Sequence, residues 1–273
     1  ASAGNRAMYR FDIFATLVGV ETPSQTRNLE VKPYAIGSVT TNKAARPPFS
    51  NDLVTNGGGD VKYGVTKSLI ADLTVRTDFA QVEEDQQQVN LTRFSLFFPE
   101  RRDFFLEGQG LFNFGAGQRG GDGGGGPSLT PVVFYSRRIG LSSTGQSVPI
   151  ETGGRVSGRI GRYSVGLLNI QTDDSPTADA PATNFSVVRL RRDVLRRSNV
   201  GLIATHRAPT DGTANTVVGL DANLAFFQNV IAQGFWTMSD PGRDTGSVAA
   251  RSSYRGEFEY NGDRYGARVE HLT

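Results

Sequence analysis

The chain has 273 residues, 33 of them glycine, no cysteine, two histidines and a formal net charge of +2. The lack of cysteine excludes disulfides, thiolate catalysis and cysteine-held zinc, and interleaved charges of both signs argue against a nucleic-acid partner. No apolar run approaches the ~20 residues of a membrane helix, which excludes helical spans but not a β-barrel, whose strands meet lipid only with every second residue.

Residues 1–27 read as a linker or leading strand, with one short apolar run from Phe11 to Val18. They lack the charged start and apolar core of a signal peptide. From Asn28 to Thr41 the pattern is extended, with Leu29, Val31 and Val39 on one parity and Glu30, Lys32, Tyr34 and Ser38 on the other. Pro33 cannot donate to a ladder and marks a bulge or an edge strand. Asn42 to Gly59 is rich in Pro, Asn and Gly and reads as a loop. Two alternating segments follow, Val61–Thr66 and Leu69–Arg76, joined by a tight turn at Lys67-Ser68.

Thr77 to Gly115 breaks the pattern. It carries Phe79, Phe94, Phe97, Phe98, Phe104, Phe105, Phe112 and Phe114 beside many charges, and fits neither an amphipathic strand nor an amphipathic helix. Within a wider insert, residues 79–131, Phe97-Phe98 and Phe104-Phe105 read as two aromatic pairs on either side of a charged turn at Pro99, which cannot donate to a sheet ladder. Guanidinium groups fork onto carboxylates, so Arg93, Arg101 and Arg102 face Glu83, Glu84, Asp85, Glu100, Asp103 and Glu107 as partners in a confined network. These nine, with Arg137 and Arg138, are the candidate ligand or lumen residues. The bland reading is a folded plug whose charges only stabilise one another. Gly115 to Gly126 is a low-complexity loop without the lysine of a phosphate-binding loop.

Strands are then predicted at Val132–Arg138, Ile150–Ile160, Tyr163–Thr172, Asn184–Arg192, Asn199–Arg207, Thr216–Phe227, Val230–Met238, Ala249–Tyr260 and Arg264–Leu272. Several have about ten residues, the length that crosses a bilayer when tilted. Tight connections at Gly161-Arg162, Gln228-Asn229 and Asn261-Gly262-Asp263 alternate with longer ones at Asp173–Thr183, Ala208–Asn215 and Ser239–Ser247. Outer-membrane barrels show that asymmetry, with short periplasmic turns and long extracellular loops. Parity agrees: Val218, Leu220, Ala222, Leu224 and Phe226 oppose Asp221 and Asn223, while Tyr254, Gly256, Phe258 and Tyr260 oppose Arg255, Glu257 and Glu259. Tyr163, Phe185, Trp236, Tyr260 and Tyr265 suit aromatic girdles, and His206 and His271 read as strand residues facing water or a lumen. A soluble β-sandwich would alternate too; strand length and loop asymmetry favour the barrel. Tyr265 to Thr273 has no closing turn after it, so a piece of a longer chain is expected.

A family resemblance rests on Val61-Lys62-Tyr63-Gly64, Asp72-Leu73-Thr74, Thr77-Asp78-Phe79-Ala80-Gln81-Val82-Glu83, Val89-Asn90-Leu91-Thr92-Arg93-Phe94, Phe97-Phe98-Pro99-Glu100-Arg101-Arg102, Phe104-Phe105-Leu106-Glu107-Gly108, Ser136-Arg137-Arg138-Ile139-Gly140 and Pro149-Ile150. The chain from about Leu29 resembles the domain of unknown function that follows a family-9-type carbohydrate-binding module in predicted bacterial outer-membrane β-barrel proteins. The resemblance implies such a module upstream and further strands downstream, and it transfers no catalytic residues. The expectation is an all-β, antiparallel up-and-down transmembrane β-barrel, here a partial one spanning residues 28–273, with the Phe/Arg/Glu-rich insert plugging or lining its lumen.

Three functions follow for a chain placed in the outer membrane of a Gram-negative bacterium. The first is a pore or receptor for a nutrient such as an oligosaccharide, because aromatic faces stack on sugars and charged rings pass polar solutes. The second is a membrane-anchored carbohydrate-active hydrolase using two of the insert's carboxylates. Each of those acids has an arginine nearby in sequence, which would lower its pKa and spoil a general acid. The third is a structural or assembly role with the long loops as a docking surface. Membrane lipid and a glycan or other small polar solute are the expected partners; no nucleic acid, cofactor, metal or catalytic residue is assigned.

Overall fold

The computed structural model describes residues 28–43, 49–76, 100–115, 132–142, 145–242 and 247–273. Eleven antiparallel strands form one sheet whose spatial order is the chain order, each strand pairing with the next. They are β1 (Leu29–Asn42), β2 (Phe49–Thr66), β3 (Leu69–Val75), β4 (Ile150–Ile160), β5 (Tyr163–Thr172), β6 (Thr183–Leu195), β7 (Ser198–Pro209), β8 (Asn215–Phe226), β9 (Val230–Asp240), β10 (Ser252–Asn261) and β11 (Gly266–Leu272). Among the described residues β1 and β11 each have a single neighbour, so the sheet is open between them.

Because the strands run up and down, their connections fall into two sets at opposite ends. One end holds the tight turns after β2, β4, β6, β8 and β10; the other holds the longer connections, including the excursion between β3 and β4. That excursion returns to one face of the sheet as a single helical turn, α1 (Asp103–Leu106), a 3₁₀ turn at Gln109–Phe112 and another at Ser136–Arg138. Gly108, at φ 70°, supplies the left-handed residue that stops α1 and lets the chain reverse.

The two faces have inverted polarity for a water-soluble sheet. The parity beneath the excursion carries Asp72, Thr74, Arg155, Ser157, Ser164, Arg189, Thr237 and Glu257, all buried. The opposite parity carries Leu73, Val75, Leu167, Val188, Leu190, Leu202, Leu220, Trp236, Tyr254 and Phe258, all exposed. Cross-strand register makes the exposed set continuous: Leu190 lies opposite Leu202, Leu202 opposite Leu220, Leu220 opposite Trp236 and Trp236 opposite Tyr254. Large contiguous apolar patches are rare on soluble monomers.

The core lies between the excursion and the polar parity. Phe104, Phe105, Phe112 and Phe114 pack with Ile139, Ile150, Leu168, Ile170, Val187, Ile203 and Phe235. Their rings sit over glycines of the sheet. A Cβ on Gly166 would meet Phe112 at 3.0 Å, and one on Gly219 would meet Phe114 at 2.7 Å. On Gly153 it would meet Ile170 at 2.6 Å and Thr74 at 2.8 Å, with Phe104 3.7 Å away. Each missing side chain leaves a notch in which a ring can reach the backbone surface.

Four expectations change. The Asn42–Gly59 loop is largely strand: β2 starts at Phe49, and Gly57, Gly58 and Gly59 pair with Ala35, Tyr34 and Pro33. Glycine composition reads as loop, yet a ladder needs only backbone, and Pro33 is accommodated because β1 is an edge. Residues 132–138 are not a strand; β3 pairs directly with β4, which leaves no edge for them, and Val133 and Phe134 pack on the core instead. The strand predicted from Ala249 begins at Ser252, after a 3₁₀ turn at Val248–Arg251. Phe185 belongs to no girdle, because it packs partly buried against the core beneath the excursion.

Candidate functional site

Two arginines fix the excursion, Arg102 by joining two of its segments and Arg155 by tying it to the sheet, each closing the carbonyl end of a short helical turn. Such ends leave C=O groups without partners inside the helix. Arg102 sits just before α1. Its Nε donates to Glu100 Oε1 at 2.8 Å and its Nη2 to Glu100 Oε2 at 2.7 Å. The same guanidinium donates to the carbonyls of Ile139 at 2.6 Å and Ser136 at 2.7 Å, thereby capping the 136–138 turn. The Ser136 hydroxyl completes the Glu100 carboxylate at 2.7 Å, and the Phe105 ring lies 4.1 Å from the guanidinium carbon.

Arg155, on β4, does the same for α1. It pairs with Asp72 on the adjacent β3 and donates to the backbone carbonyls of Phe104 and Glu107. Lys62, on β2, pairs with the Glu107 carboxylate, and Arg155 lies 3.5 Å from it. α1 is thus tied to β2, β3 and β4 by charged groups while Phe104 and Phe105 fill the space beneath.

Further round the polar parity, Arg189 on β6 reaches across β7 to Asp221 on β8, with two hydrogen bonds of 2.5 and 2.8 Å. Gly201 is what lets it pass: a Cβ there would lie 2.5 Å from Asp221 Oδ1 and 2.6 Å from Arg189 Nη1. Beyond Phe235, Arg255, Glu257, Arg268 and Glu270 form a four-membered ion-pair ladder over β10 and β11, with pair distances of 2.5 to 3.1 Å. Gln233 donates to Glu257 at 2.8 Å. The polar face therefore carries a girdle of alternating charge from β3 to β11.

Burial pushes the Glu100 carboxyl upward, but the hydrogen bonds and charge of Arg102, with the Ser136 hydroxyl, outweigh it and hold the group below its ordinary value. A carboxylate kept ionised in this way is a structural anchor and a poor general acid.

Of the candidate residues, Glu83, Glu84, Asp85 and Arg93 lie outside the described residues. Glu100 and Arg102 come together as a buried pair, and Glu107 joins Lys62 and Arg155 rather than an arginine of the excursion. Asp103 and Arg101 are exposed; Arg137 is buried beside Ser136, and Arg138 is exposed. The histidines lie on the exposed, apolar parity and not on the polar one, with His206 Nδ1 2.9 Å from Thr216 Oγ1 and His271 Nε2 3.2 Å from the Tyr254 hydroxyl. Among the described residues no group of three metal-ligating side chains converges.

Sequence reasoning missed Asp72, Arg155, Arg189 and Asp221 as site residues. Part of the signal was present: Arg155 lies between Gly153 and Ser157 on the charged parity of its strand, and Asp221 is two residues from Gly219 on the same parity as that glycine.

The chain belongs to the family described as Domain of unknown function (DUF5916), whose model matches residues 25–170, or 146 of the 273, covering β1 to most of β5 and the whole excursion between them. No curated protein and no solved structure matches it.

Proposed function

We propose that this member of the family forms part of the wall of a bacterial outer-membrane β-barrel, and that it acts as a receptor or gated pore for a polar nutrient such as an oligosaccharide. The observation that carries the proposal is the inverted sheet, with buried arginines and carboxylates on one parity and exposed Leu, Val, Trp and Tyr on the other. Water on the apolar parity would leave a patch spanning at least eight strands unburied; hydrocarbon there removes the penalty. The polar parity then lines an interior, and the excursion between β3 and β4 is its plug.

Transport suits this arrangement better than hydrolysis does. The best-placed carboxylates, Glu100 and Glu107, are each engaged by cations, and Glu100 is held ionised. A charged girdle faced by aromatic rings provides donors, acceptors and stacking surfaces for a sugar-sized solute. The plug is fixed by a small number of separable contacts, so a ligand or partner that competes for one arginine can loosen it.

The test is conductance and liposome swelling with the full-length protein, intact and lacking residues 85–114. The expected result is small or gated conductance that becomes large and permanent on deletion, with oligosaccharide uptake to match. Protein that incorporates into bilayers but neither conducts nor swells liposomes in either form would overturn the transport reading and favour the assembly role.

A further inference from the structure

The tight-turn end of the sheet is cationic in its described connections, while the long-loop end carries charges of both signs. The tight-turn end carries Lys67, Arg162, Arg196, Arg197 and Arg264 against one acid, Asp263. The long-loop end carries Asp173, Asp174 and Asp179 between β5 and β6 and Asp211 between β7 and β8, with no lysine or arginine in those two connections.

Beside the cationic end, the apolar parity is interrupted by a furrow of about 690 Å³. Its floor is low because the register aligns small residues, Ala222 on β8 with Gly234 on β9 and Gly234 with Gly256 on β10. Val200, Leu202 and Leu220 form its greasy walls, and Arg192 and Tyr163 close it. The Arg192 guanidinium carbon lies 5.3 Å from the Tyr163 ring, and those two residues face each other across β5 and β6 at the level of the Gly161-Arg162 turn. Among the described residues, neither Arg162, Arg192, Arg196 nor Arg197 has a carboxylate within ion-pairing distance; Asp193, the nearest acid in sequence, is taken by Arg159.

We infer that this furrow is a binding site for one anionic glycerophospholipid, with its phosphate on Arg192 and a hydrocarbon chain between Leu202, Leu220 and Ala222. The inference rests on the membrane reading above. A cation at a furrow mouth flanked by an aromatic ring matches a phosphate at headgroup depth, and the apolar walls match only the chain below it. A free anion would gain nothing from the walls, and a peptide would meet no unpaired backbone there because β6 to β10 are paired on both sides. The cationic turns place the occupied leaflet on the tight-turn side.

Native mass spectrometry of the full chain, released from micelles doped with chain-matched phosphatidylglycerol or phosphatidylcholine, tests the assignment. Wild type is expected to retain phosphatidylglycerol over phosphatidylcholine by about fivefold, the worth of one surface cation. Arg192→Gln should erase that preference and leave residual retention of both lipids. Ala222→Phe, which fills the furrow, should lower retention of both. Arg192 is exposed and Ala222 half-buried, both on the outward parity away from the core, so strand content by circular dichroism should be unchanged in both variants. Equal retention by wild type, or a preference that survives Arg192→Gln, would overturn the site while leaving the barrel intact. A chain that is monodisperse without detergent overturns both readings, and detergent-free sedimentation separates that failure from the first.

Discussion

Replacing Arg102 by Met keeps most of the side-chain volume and its contact with Phe105 but removes every donor of the guanidinium. Glu100 then stays fully buried with only the Ser136 hydroxyl and the backbone amides of Arg101 and Arg102, both at 3.1 Å, while the Ser136 and Ile139 carbonyls lose their donor. Breaking a buried pair on one side costs about 3–5 kcal/mol, because the remaining charge has neither water nor a partner. The loss falls on the excursion, two segments of which the pair joins, rather than on the sheet, whose ladder is untouched. Hydrogen exchange reads it directly: the amides of Phe105 and Leu106, bonded to the Arg102 carbonyl, and of Ile139, bonded to Ser136, should exchange about 10²- to 10³-fold faster, while β6 to β9 keep their protection. Adding Glu100→Gln removes the stranded charge and leaves only the unpaired carbonyls, about 1–3 kcal/mol. The double variant should therefore protect those amides better than Arg102→Met alone. If the single change accelerates exchange less than tenfold, or the double variant is the worse of the two, the buried pair is not what holds the two segments of the excursion together.

The remaining predictions concern the same contacts. The lowered Glu100 pKa means that the excursion is fully stabilised above the ordinary glutamate value and weakens as pH falls through the lowered one; exchange at Phe105 should rise only on that acid side, and Glu100→Gln should flatten the profile. Gly219→Ala puts a methyl 2.7 Å from Phe114 and should cost about 1–3 kcal/mol in thermal or denaturant unfolding, partly recovered by Phe114→Leu. Phe112→Ala should cost about 3–5 kcal/mol by the same measure, since its ring is buried over Gly166. Leu220→Arg, on the exposed parity, should destabilise the protein in lipid vesicles by about 2–4 kcal/mol and far less in a water-soluble setting, which makes the comparison a test of what that face touches.

The strands were legible because their pattern is short-range. Ile150–Ile160 and Tyr163–Thr172 were read with the ends they have, and from β6 to β9 no end differs by more than three residues. Where reading failed, partner availability decided. Residues 132–138 have good strand composition but no edge to join. The Gly57–Gly59 run has poor strand composition yet pairs with β1, because that strand offers it a register. The Phe-rich excursion was recognisable as foreign to the sheet, and Phe104, Phe105, Phe112 and Phe114 do enter the core. Its charges were harder to assign. Glu107 bonds Lys62, 45 residues away, and Arg155 bonds Asp72, 83 residues away.

Alternation with period two is a property of each strand alone, and from it the sequence by itself determined that this is an antiparallel all-β chain with one greasy and one charged parity. Composition also settled the absence of cysteine chemistry and of helical spans. Which parity is buried was decided only by the tertiary structure, since the excursion between β3 and β4 had to choose a face and its rings fit where glycines leave notches. The same choice made Arg155, Arg189, Asp72 and Asp221 interior residues. A charge becomes a site when distant strands remove its water, and no local pattern states which strands those will be.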